Sequence, residues 1–418
     1  MNILIITYDW IPKNSIAVHR PYSWAKYWSR WGANVTVLTA VKKSFDAPLD
    51  LNLPDIENTK VIEVQYSSFG SLVKKDPKKI KYFFFMRSVK AILYKYLGID
   101  LDPRRKWVSE VINSEIYGSK YDVIISTYPI KGSHLIASRL KKKHPDSFWI
   151  ADYRDFWSLS HIISKPKIFK YFDRFLENKL VWERADLITV VSQTMALQMK
   201  RYFNKRVHVF SNGYDIDTFE LMKNIQNSRR CNSNFVIAYT GMIYPGRRDP
   251  MPLVNALVKY YSINKGLPKI ELHFYGQSSD YIMHNERLAI YDFIHCKGHV
   301  SREVALEIQK KSDYLLLLES NKEDAIGVIT GKVFEYISSG TPILSLGSSS
   351  LSEIAMLLKD TGTGICLGID EDCIYNELIR FSKIGRPSWY NPKFEIISSY
   401  SRESISKDYF NLIVQKLK

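Results

Sequence analysis

The sequence predicts an α/β protein made of two doubly wound domains, and three observations carry that expectation. Short apolar, β-branched runs recur along the chain. Segments long enough for helices separate them, and the whole series runs through twice, with a break at residues 211–219, SNGYDIDTF. At 418 residues the chain is too long for one ordinary core, so two domains of roughly 200 residues each are expected. An apolar content of 45% and an aromatic content of 13% exclude a disordered chain. The domains are placed at 1–213 and 214–395, with a closing helix within 396–418 set to cross back to the first.

In the first half the strand candidates are NILIIT, NVTVLT, KVIEVQ, DVIIST, FWIADY, LITVVS and VHVFS. In the second they are FVIAYTG, KIELHFYG, DYLLLLES, TPILSLG and GICLG. RPYSWAKYWSRWG shows the intervening helical pattern: Trp24, Trp28 and Trp31 recur at i, i+4 and i+7, and Gly32 ends the segment. Near-continuous apolar strands alternating with helices imply parallel sheets covered on both faces. Ligands of such sheets sit beyond the strand C-termini, and two domains facing each other form a cleft there. The segments to watch are therefore 7–20, 128–134, 153–157, 241–249 and 327–344.

The four cysteines, Cys231, Cys296, Cys366 and Cys373, show no C-x-x-C pair and no zinc-finger spacing, which reads as reduced thiols in a cytosolic protein. MNILIITYDW lacks the basic start and apolar length of a signal peptide. No apolar stretch approaches the roughly 20 residues that span a bilayer. The net charge of +16 is concentrated in residues 74–106, which hold eleven Lys or Arg against three Asp. Wound as a helix, this stretch gathers Phe85, Val89, Ile92, Leu93 and Tyr96 within about 100°, with Lys81, Arg87, Lys90 and Lys95 outside that arc. Such a basic amphipathic helix suits an anionic membrane surface, although a core-packed helix with a solvated face has the same pattern. No nucleic-acid-binding motif is found, so nucleic acid is not an expected partner. The expected place is the cytoplasm, peripheral at the inner face of the cell membrane.

The most informative stretch is GVITGKVFEYISSGTPIL, residues 327–344. It reads as a glycine-bearing loop, a short helix over 332–339, a stop at Gly340 and a new strand admitted by Pro342. A helix N-terminus preceded by glycines offers unpaired N–H groups to an anion such as a phosphate, and Lys332 adds a full charge there. Glu335, one turn on, is a good acceptor for two neighbouring ribose hydroxyls. An exposed helix with an i, i+3 Lys–Glu pair worth about 0.2–0.5 kcal/mol fits the same residues equally well.

GKVFEYISSGTPIL resembles the donor-site helix of family 4 retaining glycosyltransferases with the GT-B fold. The residues from ILIITYDW to VTVLT, then YDVIISTYPIKGSHLIA, ADYRDFW, ADLITVVSQTMALQM, VHVFSNGYD and YTGMIYPGRRDPMPLVNAL follow in that family's order over nearly the whole chain. The resemblance implies the GT-B fold, two Rossmann-like domains facing each other across a cleft. It implies that Glu335 holds the ribose. Residues Gly327, Ile329, Thr330 and Gly331 would present backbone to the transferred sugar and β-phosphate, and Arg247 or Arg248 would clamp the diphosphate. Lys332 stands in for a lysine that the family carries just after that arginine and that is missing here. Val300 matches the strand end facing the base, His134 the histidine reaching the sugar, and Arg20 the basic residue after the first loop. Two departures stand out: Gly327 occupies the slot of the family's first glutamate, with Glu323 and Asp324 just upstream, and KNSIAV replaces a glycine pair in the first loop.

The chemistry so implied is transfer from a nucleotide-diphosphate sugar, UDP- or GDP-linked, to a glycan or polyprenyl-diphosphate-linked acceptor. Anomeric configuration is retained, and the setting is bacterial surface-polysaccharide synthesis. His134, Asp155, Arg247 and Lys332 are expected to serve the reaction, and Arg20, Arg248, Val300 and the 327–335 residues to hold the donor. Guanidinium, ammonium and helix-end N–H groups stabilise a leaving diphosphate, so no cofactor and no metal are expected. Two D-x-D matches, Asp100 with Asp102 and Asp370 with Asp372, end no strongly predicted strand. Asp155 would also suit a buried strand-end pair with Arg154 beneath Trp157, and His134 an ordinary helix-start role. The rival functions are a nucleotide-sugar epimerase of the same fold and a non-catalytic nucleotide-sugar or glycan binder.

Overall fold

The computed structural model describes residues 1–67, 104–160, 166–215, 234–243, 248–276, 282, 285–320 and 329–418. They fall into two compact units, one of Met1–Ser211 with Ile405–Lys418 and one of Asn212–Ser404. The basic stretch 74–106 lies outside the described residues up to 103, as do Gly327 and Arg247.

The first unit is a seven-stranded parallel sheet: β1 (Asn2–Ile6), β2 (Asn34–Ala40), β3 (Thr59–Val64), β4 (Val123–Tyr128), β5 (Phe148–Tyr153), β6 (Leu187–Val190) and β7 (Val207–Val209), in the order β3-β2-β1-β4-β5-β6-β7. Both faces are covered, which explains the unbroken apolar run of β1. Leu4 and Ile6 join one core with Trp107, Ile124 and Trp149, while Ile3 and Ile5 join the opposite one with Trp24 and Trp28. The Ile16–Arg30 helix starts at Ser15, whose hydroxyl accepts the Ala17 N–H, and turns off at Gly32, where φ is +87°. Its Trp24 and Trp28 stack at 5.6 Å, and Tyr409 of the closing helix packs edge-on against both. Trp28 Nε1 also donates to the Ser406 carbonyl at 2.9 Å, so residues 405–418 complete this core.

The second unit is a six-stranded parallel sheet: β8 (Asn234–Thr240), β9 (Lys269–Tyr275), β10 (Ile294–Cys296), β11 (Tyr314–Leu318), β12 (Ile343–Leu346) and β13 (Gly364–Gly368), ordered β10-β9-β8-β11-β12-β13. The YLLLL run of β11 divides in the same way. Leu316 and Leu318 face one core, and Leu315 and Leu317 face the other beneath the Gly331–Ser339 helix. All twelve strand candidates are strands. The short β10 was not among these candidates, because IHC offers only three residues; Val300, which the resemblance put at a strand end, lies four residues beyond it in the loop. In this unit the strand order reverses between β8 and β11, and in the first between β1 and β4.

Candidate functional site

The second unit brings Lys332 and Arg248, two of the expected donor residues, to its switch point, beyond the C-terminal ends of β8 and β11. There an open α/β sheet leaves a crevice, because successive connections depart to opposite faces. The Gly331–Ser339 helix follows β11 and stops at Gly340, with φ +81°. It is locked to β8 through Tyr336, whose hydroxyl accepts the Thr240 N–H at 3.0 Å, while Gln309 Nε2 donates to Thr240 Oγ1 at 3.0 Å. One turn earlier, Lys332 Nζ donates to Tyr239 Oη at 3.1 Å and lies 4.5 Å from that ring's centroid. Gly241 makes this possible. A Cβ there would stand 1.9 Å from Lys332 Nζ, and its φ of +132° suits only glycine.

Glu319, buried at the end of β11, faces the same ground and accepts from Thr330 Oγ1 at 3.4 Å. Burial pushes its carboxyl up to about 7, against the pull of Arg248 and Lys332. Burial likewise pushes Lys332 down to about 7; the Arg248 charge adds to the fall, and Glu319 and Glu335 oppose it. Thr330 is extended and makes no side-chain cap, and the first turn carries no acid, so the helix start presents backbone N–H groups beside two cations. Ile329 packs against the core beneath the helix.

Lys332 and Glu335 do not form the exposed i, i+3 pair that the sequence also allowed. Glu335 takes the Arg302 guanidinium at 3.3 Å, and Arg302 also reaches Asp215 at 3.1 Å. Arg302 lies two residues past Val300, at the start of the Arg302–Lys311 helix, and so ties the loop after β10 to Glu335.

The first unit treats its three expected residues differently. Arg20 is buried and forks onto Asp152, with Nε to Oδ2 at 3.1 Å and Nη2 to Oδ1 at 2.7 Å, while Nη1 donates to the Ser211 carbonyl at 2.8 Å. Asp152 also accepts from Thr127 and Thr189, so this group knits β4, β5 and β6 together. His134 is fully buried in the Lys131–Lys143 helix, with Nδ1 2.7 Å from Ser126 Oγ, its ring 4.7 Å from Tyr153, and Nε2 without a hydrogen-bond partner. Burial lowers it to about 3, against the attraction of Asp152, so it is neutral at pH 7. Asp155 is exposed. Surrounding protein raises its carboxyl, Arg154 opposes this, and Asp9 adds to the rise. The alternative Arg154–Asp155 pair is replaced by another: Arg154 reaches Asp9 at 3.2 Å and the Tyr128 carbonyl at 3.1 Å.

Asp370 and Asp372 have structural duties. Asp370 caps the Glu371–Ile384 helix by accepting the N–H groups of Asp372 and Cys373, and Asp372 pairs with Lys259 at 2.7 Å. Glu319, Tyr239, Arg302 and Asp215 were missed as site residues. A charged residue directly after a run of four leucines marks Glu319 as a strand-end group, which is the signal that could have found it.

No protein-family model matches the sequence, and no curated protein matches it. Solved structures do. Sucrose-phosphate synthase from Thermosynechococcus elongatus superposes with a TM-score of 0.64 at 14% identity, over 99% of this chain and 98% of that one. HepE of Anabaena, solved in complex with UDP, gives 0.62 at 14% identity over 99% and 100%. WaaG, a glycosyltransferase involved in lipopolysaccharide biosynthesis, gives 0.57 at 13% over 98% and 99%. Each unit of the chain is thus Rossmann-like, and the fold is that of the GT-B glycosyltransferases.

Proposed function

We propose that the chain is a glycosyltransferase that moves a sugar from a nucleotide-diphosphate sugar to a glycan or polyprenyl-diphosphate-linked acceptor, with retention and without a metal, in bacterial surface-polysaccharide synthesis. The observation that carries the reading is the switch-point cluster of the second unit. Lys332 and Arg248 stand beside a helix start that has no side-chain cap, on ground that only glycine at position 241 leaves open. Leaving-group charge grows on the diphosphate as the glycosidic bond breaks, and preorganised cations and N–H groups stabilise that charge more in the transition state than in the bound donor. Glu335, held by Arg302, is the ribose acceptor in this reading. Arg20 and His134, both committed to packing inside the first unit, serve by positioning β4 and β5 and not by touching the sugar.

The test is a thermal-shift screen against UDP-, GDP-, ADP- and CMP-sugars, begun with UDP because HepE was solved with it. Turnover is then followed with excess EDTA present. Release of nucleoside diphosphate that requires an acceptor and persists in EDTA is the expected result. Turnover lost in EDTA and restored by Mn²⁺ or Mg²⁺ would remove the metal-free mechanism. An isomerised donor formed without acceptor would make the chain an epimerase.

Membrane association belongs to the same reading and has its own support. Among the described residues no helix is long and apolar enough to cross a membrane. The Lys167–Glu177 helix, however, turns its apolar side outward: Ile168 and Tyr171 are each 71% exposed, Phe172 56% and Phe175 49%. These four fall within about 100° of arc, and Lys167, Lys170 and Arg174 lie along one side of it. Exposed aromatic and aliphatic groups beside cations match the boundary layer of an anionic bilayer. The expected basic contact at 74–106 lies largely outside the described residues, so this helix is the surface from which the claim is argued.

A further inference from the structure

The edge of the second sheet carries a cluster that the donor site does not use. Glu271 and His273 are two apart on β9 and so point to one face, and His295 on β10 is the register partner of His273. His273 Nε2 lies 2.9 Å and His295 Nε2 3.5 Å from the same oxygen, Glu271 Oε2, and all three ligand atoms lie within 4.8 Å of one another. Tetrahedral zinc, bound at about 2.0–2.2 Å by nitrogen and oxygen, needs ligand atoms roughly 3.3–3.5 Å apart. The spacing here brackets that value without any movement of the backbone.

We infer that Glu271, His273 and His295 form a site for one divalent transition cation of the zinc class, pinning the edge strand β10 to β9. The outer contacts suit the purpose. Asn234 Nδ2 donates to Glu271 Oε1 at 3.2 Å, which leaves Oε2 for the metal. His273 Nδ1 lies 3.4 Å from Tyr275 Oη, a partner that can take the ring proton when Nε2 turns its lone pair to the cation. The gain is mechanical: β10 has only three residues on an open sheet edge, and it feeds the loop that ends at Val300. None of the three ligands belongs to the donor cluster, so the cation's role is to hold the strands together.

The test uses full-length chain stripped with EDTA and titrated with Zn²⁺ against a chromogenic chelator. One equivalent should bind at or below micromolar concentration and raise the melting temperature. His273→Ala and His295→Ala should each weaken binding at least tenfold and abolish the thermal shift. Glu271→Gln, which removes the charge and replaces one acceptor oxygen by a donor, should also weaken binding at least tenfold. Cys373→Ser, which removes an exposed thiol, should leave binding intact. The inference is overturned if no equivalent binds, if His273→Ala and Glu271→Gln both retain parent affinity, or if Cys373→Ser is the change that removes the metal.

Discussion

Lys332→Met tests the donor site through protons as well as through affinity. Lys332 is pushed down to about 7, far below the usual 10.5, because it is buried with Arg248 nearby. At pH 8 about one tenth of the chains therefore carry the proton. A diphosphate docked against Nζ restores the preference for the charged form, so binding at pH 8 should draw close to one proton per site onto Lys332. The terminal phosphate, with a second ionisation near about 6, is already ionised at that pH and does not confuse the count. The sign follows from linkage: the bound state holds more protons than the free state, so affinity falls as pH rises through 7, by up to about tenfold per unit. Titration calorimetry with UDP at pH 8, in two buffers of different ionisation enthalpy, measures the uptake directly. Lys332→Met should lose about one proton of uptake and flatten the decline in affinity above pH 7, and its affinity loss should be largest at pH 6. Uptake equal in parent and variant would refute the reasoning, because the diphosphate would then lie away from this ammonium.

Glu335→Ala should weaken UDP binding roughly tenfold to hundredfold, the worth of a charge-assisted hydrogen bond of about 1.5–3 kcal/mol; calorimetry giving parent affinity would remove the ribose role. Glu319→Gln should leave UDP affinity at pH 6 unchanged, since the carboxyl is then protonated, and should change proton uptake at pH 8; an altered affinity at pH 6 would contradict the raised carboxyl. Gly241→Ala, at φ +132° and with a Cβ meeting Lys332 Nζ, should cost about 1–3 kcal/mol in denaturant unfolding and should weaken UDP binding as well. Tyr171→Glu with Phe172→Glu should abolish binding to anionic vesicles while stability stays within about 0.5 kcal/mol, because both side chains are exposed. If vesicle binding survives that pair and disappears instead when Lys74, Lys75, Lys78 and Lys79 become Glu, the contact lies in 74–106.

The strands and the short donor helix were legible because their signals are local. Apolar runs that pack on both faces cannot alternate, and Gly340 followed by Thr-Pro both ends a helix and admits a strand. The partners of the charged residues were not legible, since each is set by the sheet order. Lys332 meets Tyr239 from 93 residues away because β11 lies beside β8, and Arg20 meets Asp152 from 132 residues away because both belong to the first unit's sheet and its covering helix. Sequence spacing suggested a pair between Lys332 and Glu335, one turn apart, yet one side chain goes to Tyr239 and the other to Arg302. His134 shows the same limit from the other side. The family resemblance implied a histidine that reaches the sugar, whereas packing against Tyr153 and Ser126 encloses it.

The charge state of the donor cluster follows from this placement. Two cations held at a switch point without a ligand would repel each other, and the buried one would also lose its hydration. Both tensions are relieved without removing either residue. Lys332 is held close to its point of half-protonation at neutral pH, and Glu319 beside it is held near the same point. Fewer of these groups are therefore ionised than the residue list suggests, with the net charge the same, and an anion that docks charges Lys332. A lysine at this position can do that and an arginine cannot, because a guanidinium keeps its proton under any such environment. Within the proposed function Lys332 thus supplies a charge that appears with the diphosphate, beside Arg248.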